Sequence, residues 1–228
     1  MPQSRRRAKR FRISDVIRDI SGYRVIPIDL NKSLHSQMIN ILHRTLLHIV
    51  KKDNVFYARR PNDISDNTSG ECLEDRIQRV FNNNSPNLSA TRLRKKGYPN
   101  LKILQGQSVI AYLEVKVTST TRRSESSARD FYISPGTVIN ACSHILANQI
   151  SYTFDIQPGN TSRKIQFDAP HILILCKAEN LGPSSQHRGF NRWRLLEYKV
   201  FDLANLELKL KIEFNANYRD IERLCRRL

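Results

Sequence analysis

The sequence predicts a mixed α/β fold, of the α+β kind, with a central mixed β-sheet flanked by helices in an αβββαβ order. Three observations predict it. Residues 98–118 carry strand formers on either side of the polar break Gln105-Gly106-Gln107, the pattern of a β-hairpin. Residues 70–82 repeat apolar side chains at three- and four-residue spacing, the pattern of a helix. The run His171-Ile172-Leu173-Ile174-Leu175-Cys176 is apolar without alternation, which suits a strand buried on both faces.

Residues 1–12 are dominated by Arg and Lys and predict a flexible basic arm, with Arg5, Arg6 and Arg7 tracking DNA; a solvated tail or an import signal reads the same residues differently. The remainder, 13–228, is read as one domain whose core spans about 70–177, with elaborations at both ends. Leu34, Met38, Ile41, Leu42, Thr45 and Ile49 predict a helix over 31–52, with Ser33 as a candidate N-cap and His35, His43 and His48 as surface residues. In the next helix, Leu73, Ile77, Val80 and Phe81 form the buried stripe. At roughly 100° per residue, Glu74 borders that stripe while Glu71 points away from it.

Residues 92–96 form a basic cluster, including Arg94, Lys95 and Lys96, that leads into the hairpin. A Ser, Thr and Arg-rich loop over 119–129, with Arg122 and Arg123, follows it. A third strand is expected at 129–134, then a helix with Val138, Ile139, Cys142, Ile145 and Leu146 as its apolar face. Residues 155–164 read as a turn region, and 182–194 as a basic, aromatic loop whose Arg188, Asn191 and Arg192 suit groove contacts. Strands are expected at 193–203 and 206–214, and a closing amphipathic helix from Tyr218 to Leu228.

Lys and Arg number 38 against 21 acidic residues, a formal charge of +17. That excess favours a polyanion, because each cation placed beside a phosphate releases condensed counterions. Double-stranded DNA is the expected partner; a ribosomal-type protein or an anionic membrane surface is the bland alternative. No segment approaches the roughly 20 apolar residues that span a bilayer. Cys72, Cys142, Cys176 and Cys225 are scattered in apolar segments without a CxxC pair, which suggests reduced core thiols and a cytoplasmic setting.

Glu114 and Lys116, two residues apart on a strand, leave the same face. A carboxylate and an ammonium on an otherwise apolar strand call for a reason to be buried. Asn100, after Pro99 at the start of the preceding strand, is expected across the hairpin from them.

The element order, Pro99-Asn100 on the first strand and Glu114-Val115-Lys116 on the second together resemble the PD-(D/E)xK nuclease superfamily over about half of the chain, most closely a type II restriction endonuclease. The resemblance implies a restriction-endonuclease-like core and a prokaryotic, sequence-specific endonuclease that hydrolyses phosphodiester bonds of duplex DNA with Mg2+, as a homodimer without a small-molecule cofactor. It implies metal ligands at positions 100 and 114, a Lys116 that orients water and stabilises charge, and an assisting Glu74 as a further metal ligand, placed as in archaeal junction resolvases of the superfamily. Asn100 departs from the family's Asp at this position. The reading taken is a cleavage-impaired Asp-to-Asn form; a relocated carboxylate and a catalytically dead module are the alternatives. A junction resolvase or repair nuclease is the nearest other activity, and a non-catalytic nucleic-acid-binding protein is the reading from another class.

Overall fold

Two β-sheets organise the residues that the computed structural model describes: 10–59, 67–94, 97–119, 138–144, 151–156 and 158–213. The larger has six strands, in the order β2 (Val55–Arg59), β9 (Phe190–Asp202), β8 (His171–Pro183), β5 (Ser108–Ser119), β4 (Leu101–Gln105) and β3 (Ser89–Arg92). Its pairs are antiparallel except β5 with β8. The expected mixed sheet is therefore present, flanked by helices. The smaller sheet runs β1 (Arg10–Arg12), β10 (Glu207–Glu213), β6 (Val138–His144), β7 (Ser151–Ile156).

Among the described residues, four helices accompany them: α1 (Ile13–Ser21), α2 (Ser33–Lys52), α3 (Asn67–Asn84) and α4 (Pro158–Lys164). On one side of the large sheet, Met38, Ile41, Leu42, Leu46 and Ile49 of α2 and Leu73, Ile77, Val80 and Phe81 of α3 pack with Leu101, Ile103, Leu113, Val115, Ile172 and Ile174. Tyr98, Tyr112 and Leu173 join a second cluster with Ile13, Val16 and Ile17 of α1 and with Ile156 and Ile165, which flank α4. Burial of alternate β8 residues in the two clusters is the physical reason for the unbroken apolar run of that strand.

α3 reaches both edge strands of the large sheet. Cys72 Sγ donates to the Tyr57 carbonyl of β2 at 3.2 Å, and Arg76 Nη1 to that of Val55 at 2.7 Å. On β3, Asn82 exchanges hydrogen bonds with the Ala90 backbone at 2.6 and 3.2 Å. A flat six-stranded sheet would hold its edges roughly 24 Å apart at about 4.8 Å per strand. α3 therefore lies across the sheet, its length together with the reach of these side chains spanning from one edge strand to the other.

Several expectations are corrected. Residues 138–144 form strand β6, not a helix: Val138 and Ile139 are β-branched, and the segment pairs with β10 and β7, partners that local spacing does not reveal. Of the five described strands between α3 and α4, the first three, β3, β4 and β5, belong to the large sheet, with β3 at Ser89–Arg92 a strand that was not among those expected. Within 155–164, β7 closes at Ile156 and α4 begins on Pro158, whose fixed φ and missing N–H suit a first helical position. The cap position of α2 is Lys32, without a side-chain cap, instead of Ser33. His35 is buried and its Nδ1 accepts the Asp29 N–H at 3.0 Å, whereas His43 and His48 are exposed. Arg10–Arg12, at the end of the expected arm, pairs with β10. The expected strand at 129–134, most of the 119–129 loop and the closing helix lie outside the described residues. Cys72 and Cys176 are free thiols.

Candidate active site

The 98–118 hairpin forms as its pattern predicts, turning at Gly106 with φ +59°. Leu113 and Val115 pack into the α2/α3 cluster, so Glu114 leaves β5 on the opposite side by strand alternation. It is 2% exposed, and Lys116 Nζ lies 2.6 Å from its Oε1. Glu114 Oε2 is buried without a hydrogen-bond partner. A buried carboxylate oxygen left unsatisfied is costly, and it distinguishes this pair from a surface salt bridge.

Asn100 is where the hairpin register predicts. Leu101 pairs with Leu113, and the Asn100 N–H donates to the Leu113 carbonyl at 2.9 Å. Its side-chain Oδ1 accepts the Val115 N–H at 2.8 Å, beyond the paired length of β4. The amide oxygen thus continues the ladder along the edge of β5 between Glu114 and Lys116.

Glu74 approaches from α3. It is buried, and Arg92 of β3 lies 3.2 Å from its Oε2 while also bonding Asp75 at 2.6 Å. Burial pushes the Glu74 carboxyl up to about 7, opposed by Arg92 and reinforced by the charge of Glu114. The structure therefore brings Glu74 into the field of Glu114 and Lys116, with Arg92 as its ion-pair partner. Glu71 is exposed, in keeping with its helical angle.

Behind the hairpin, the turn preceding Asn100 is tied to α4. Thr161 Oγ1 donates to the Tyr98 carbonyl at 3.0 Å, and Lys164 Nζ donates to the carbonyls of Gly97 and Pro99, the latter at 2.9 Å. Tyr98 Oη and His171 Nδ1 share a hydrogen bond of 2.5 Å, with the Tyr112 ring 4.9 Å from the imidazole. Burial lowers His171 to about 3 and raises Tyr98 well above its ordinary value, so both rings are neutral. Sequence reasoning missed Arg92 as a carboxylate partner, and it missed Thr161, Lys164 and the Tyr98–His171 pair. Only His171 carried a local signal, as an imidazole opening an apolar run.

Of the other expected DNA contacts, Arg94, Arg188 and Arg192 are exposed and Asn191 is half-buried. Asn191 alternates with Arg192 on β9 and so faces the other side of the strand. Arg5, Arg6, Arg7, Lys95, Lys96, Arg122 and Arg123 lie outside the described residues.

Among the described residues, no three His, Cys, Asp or Glu side chains converge as a metal site. The oxygen donors of the kind a hard divalent cation takes are Glu114 Oε2, buried without a hydrogen-bond partner, and the Glu74 carboxylate, which is already ion-paired with Arg92. No helix among the described residues is long and apolar enough to cross a membrane.

Comparison with known proteins matches the chain to the family described as "Type II restriction enzyme MjaV family" over residues 6–147 and 139–223. The type II restriction enzyme MjaV of Methanocaldococcus jannaschii is 26% identical over 226 residues, covering 93% of this chain and 85% of that protein.

Proposed function

Because the chain belongs to the MjaV family of type II restriction enzymes, we propose that it cleaves duplex DNA at a defined sequence through the Glu114, Lys116, Asn100 and Glu74 site, with Mg2+ and in the manner of PD-(D/E)xK nucleases. The observation that carries this reading is the buried Glu114–Lys116 pair with one carboxylate oxygen unsatisfied, beside Asn100 at the hairpin edge. A pair kept only for stability is more cheaply replaced by packed apolar side chains.

Glu114 and Glu74 would hold the cation, with Asn100 contributing at most a neutral amide oxygen. Bound there, Mg2+ supplies polarisation of a phosphoryl oxygen and acidification of water. Glu114 also anchors Lys116, whose side chain is one-quarter exposed and so presents its ammonium toward incoming phosphate. From that position Lys116 orients the attacking water and stabilises the charge that develops on the phosphoryl group. Asn100 brings no charge, so the site holds its cation weakly and cleaves as an Asp-to-Asn form would. Arg94 and Arg192, together with the basic residues outside the described set, supply phosphate contacts. A symmetric dimer of the chain would present one such site to each DNA strand.

The test is digestion of plasmid and linear duplex DNA with Mg2+ by the chain, by Asn100→Asp and by Lys116→Ala. Discrete fragments that intensify in Asn100→Asp and vanish in Lys116→Ala support the reading. Cutting confined to four-way junctions would point to a resolvase. Absence of cleavage in every form would leave a DNA-binding protein whose Glu-Val-Lys sequence is structural.

A further inference from the structure

The turn that joins β8 to β9 is built as firmly as the active site, although it is on the surface and has no part in the chemistry. Ser184 Oγ accepts the N–H groups of Gln186 and His187 at 3.1 and 2.9 Å. The turn then closes on itself, Ser184 N–H to the Phe190 carbonyl at 2.9 Å and Phe190 N–H to that of His187 at 3.1 Å. The His187 ring meets Tyr57 of β2 edge-on at 4.5 Å and Phe190 at 6.2 Å. Tyr57 Oη donates to Gln186 Oε1 at 3.0 Å. Gln186, His187 and Arg188 are nevertheless exposed, as are Arg192 and Arg59 nearby. Residues 184–192 contain no acidic side chain. Rigid, exposed, cationic and rich in neutral donors, this surface complements the edge of a duplex groove.

We propose that this turn is a base-reading element for duplex DNA, in which Tyr57 fixes the Gln186 amide so that its NH2 group is offered to a groove-edge acceptor, with Arg188 and Arg192 beside it. A free glutamine can read adenine with its oxygen and nitrogen together. With Oε1 held by Tyr57, Gln186 acts chiefly as a donor, suited to purine N7, guanine O6 or thymine O4. Immobilising the side chain in advance also lowers the ordering cost of binding. Leu173, which pairs with Glu114, lies roughly ten residues along β8 from Pro183, at most about 33 Å away. That span is about one duplex turn, so one bound duplex can be read at the tip and cut at Glu114.

The inference rests on the restriction-enzyme reading for its partner, and its test separates the two. The full chain and its Tyr57→Phe, Gln186→Ala, Arg188→Ala and Arg192→Ala forms are incubated with a random-sequence duplex pool in Ca2+, and the bound fraction is sequenced. The wild-type chain should enrich one motif. Tyr57→Phe and Gln186→Ala should each lose roughly tenfold discrimination at the same base pair, and Arg192→Ala should weaken binding to all sequences alike. An unchanged motif in Tyr57→Phe, Gln186→Ala and Arg188→Ala would overturn the proposal, as would no enrichment by the wild-type chain. Plasmid digestion in Mg2+ supplies the other arm. With every form also carrying Asn100→Asp in this arm, a motif altered in these variants without cleavage by any form sinks the nuclease reading and keeps the reader; cleavage with the same fragments in Gln186→Ala does the reverse.

Discussion

The side-chain oxygen of Asn100 accepts the backbone N–H of Val115 at 2.8 Å, holding the residue at the head of β4 against the strand that carries Glu114 and Lys116. An aspartate can make the same bond with a charged oxygen and retain a second oxygen for a cation. Asn100→Asp is therefore expected to keep the hairpin intact and to raise Mg2+-dependent cleavage by at least tenfold in a single-turnover assay. Asn100→Ala leaves the Val115 N–H without its partner and should lower stability by about 1–2 kcal/mol in urea denaturation. A rate for Asn100→Asp no higher than that of the starting chain would remove position 100 from the cation site.

Glu114→Gln preserves shape while removing the charge opposite Lys116. Isothermal titration with Mg2+ should then show no heat of binding, and cleavage should disappear. Lys116→Ala should abolish cleavage and also lower stability, by about 3 kcal/mol, because it leaves a 2% exposed carboxylate without its ammonium. Equal stability of Lys116→Ala and the starting chain would show that Glu114 finds another counterion.

Lys164 and Thr161 of α4 hold the carbonyls of Gly97, Tyr98 and Pro99, the three residues that deliver Asn100. Thr161→Val and Lys164→Met should lower kcat by about tenfold while leaving KM for DNA within about twofold, the signature of a displaced catalytic group instead of a weakened DNA contact. Lys164→Arg, which keeps a cationic donor, should recover part of the loss. A change carried wholly by KM would assign these residues to DNA binding.

His171 predicts a pH dependence of stability. Burial holds its ring near 3 in the folded chain, against an ordinary value of 6.5. As pH falls through 6.5 the unfolded chain gains a proton that the folded chain refuses. This contribution is complete above that pH and is lost progressively toward pH 3, at about 1.4 kcal/mol per unit. Glu74 acts in the opposite sense: its carboxyl, raised from 4.5 to about 7, stabilises the fold at low pH, and that stabilisation is lost as pH rises through 7. The difference between the chain and His171→Phe isolates the imidazole. Between pH 7.5 and 5, the starting chain should lose on the order of 2 kcal/mol more than the variant in urea unfolding. Parallel losses in the two proteins would place the acid sensitivity elsewhere.

What the sequence by itself determined was the hairpin and the pairing of its charges. Strand alternation has a period of two and the turn is local, so Glu114, Lys116 and Asn100 could be set against one another without knowledge of the rest of the chain. Local spacing also identified the buried stripe of α3 and, with it, the position of Glu74 at its edge. Only the tertiary structure decided what those residues meet. Arg92, read as one member of a basic run, is a strand residue paired with Glu74 and Asp75. Lys164, in a segment expected to be a turn, is a buried clamp on the Asn100 approach. Val138–His144 became a strand because β10 and β7 supply backbone partners from distant parts of the chain. The physical division is one of range: side-chain period and turn chemistry are written within a few neighbouring residues, whereas counterions, clamps and strand partners depend on which distant segments fold into contact.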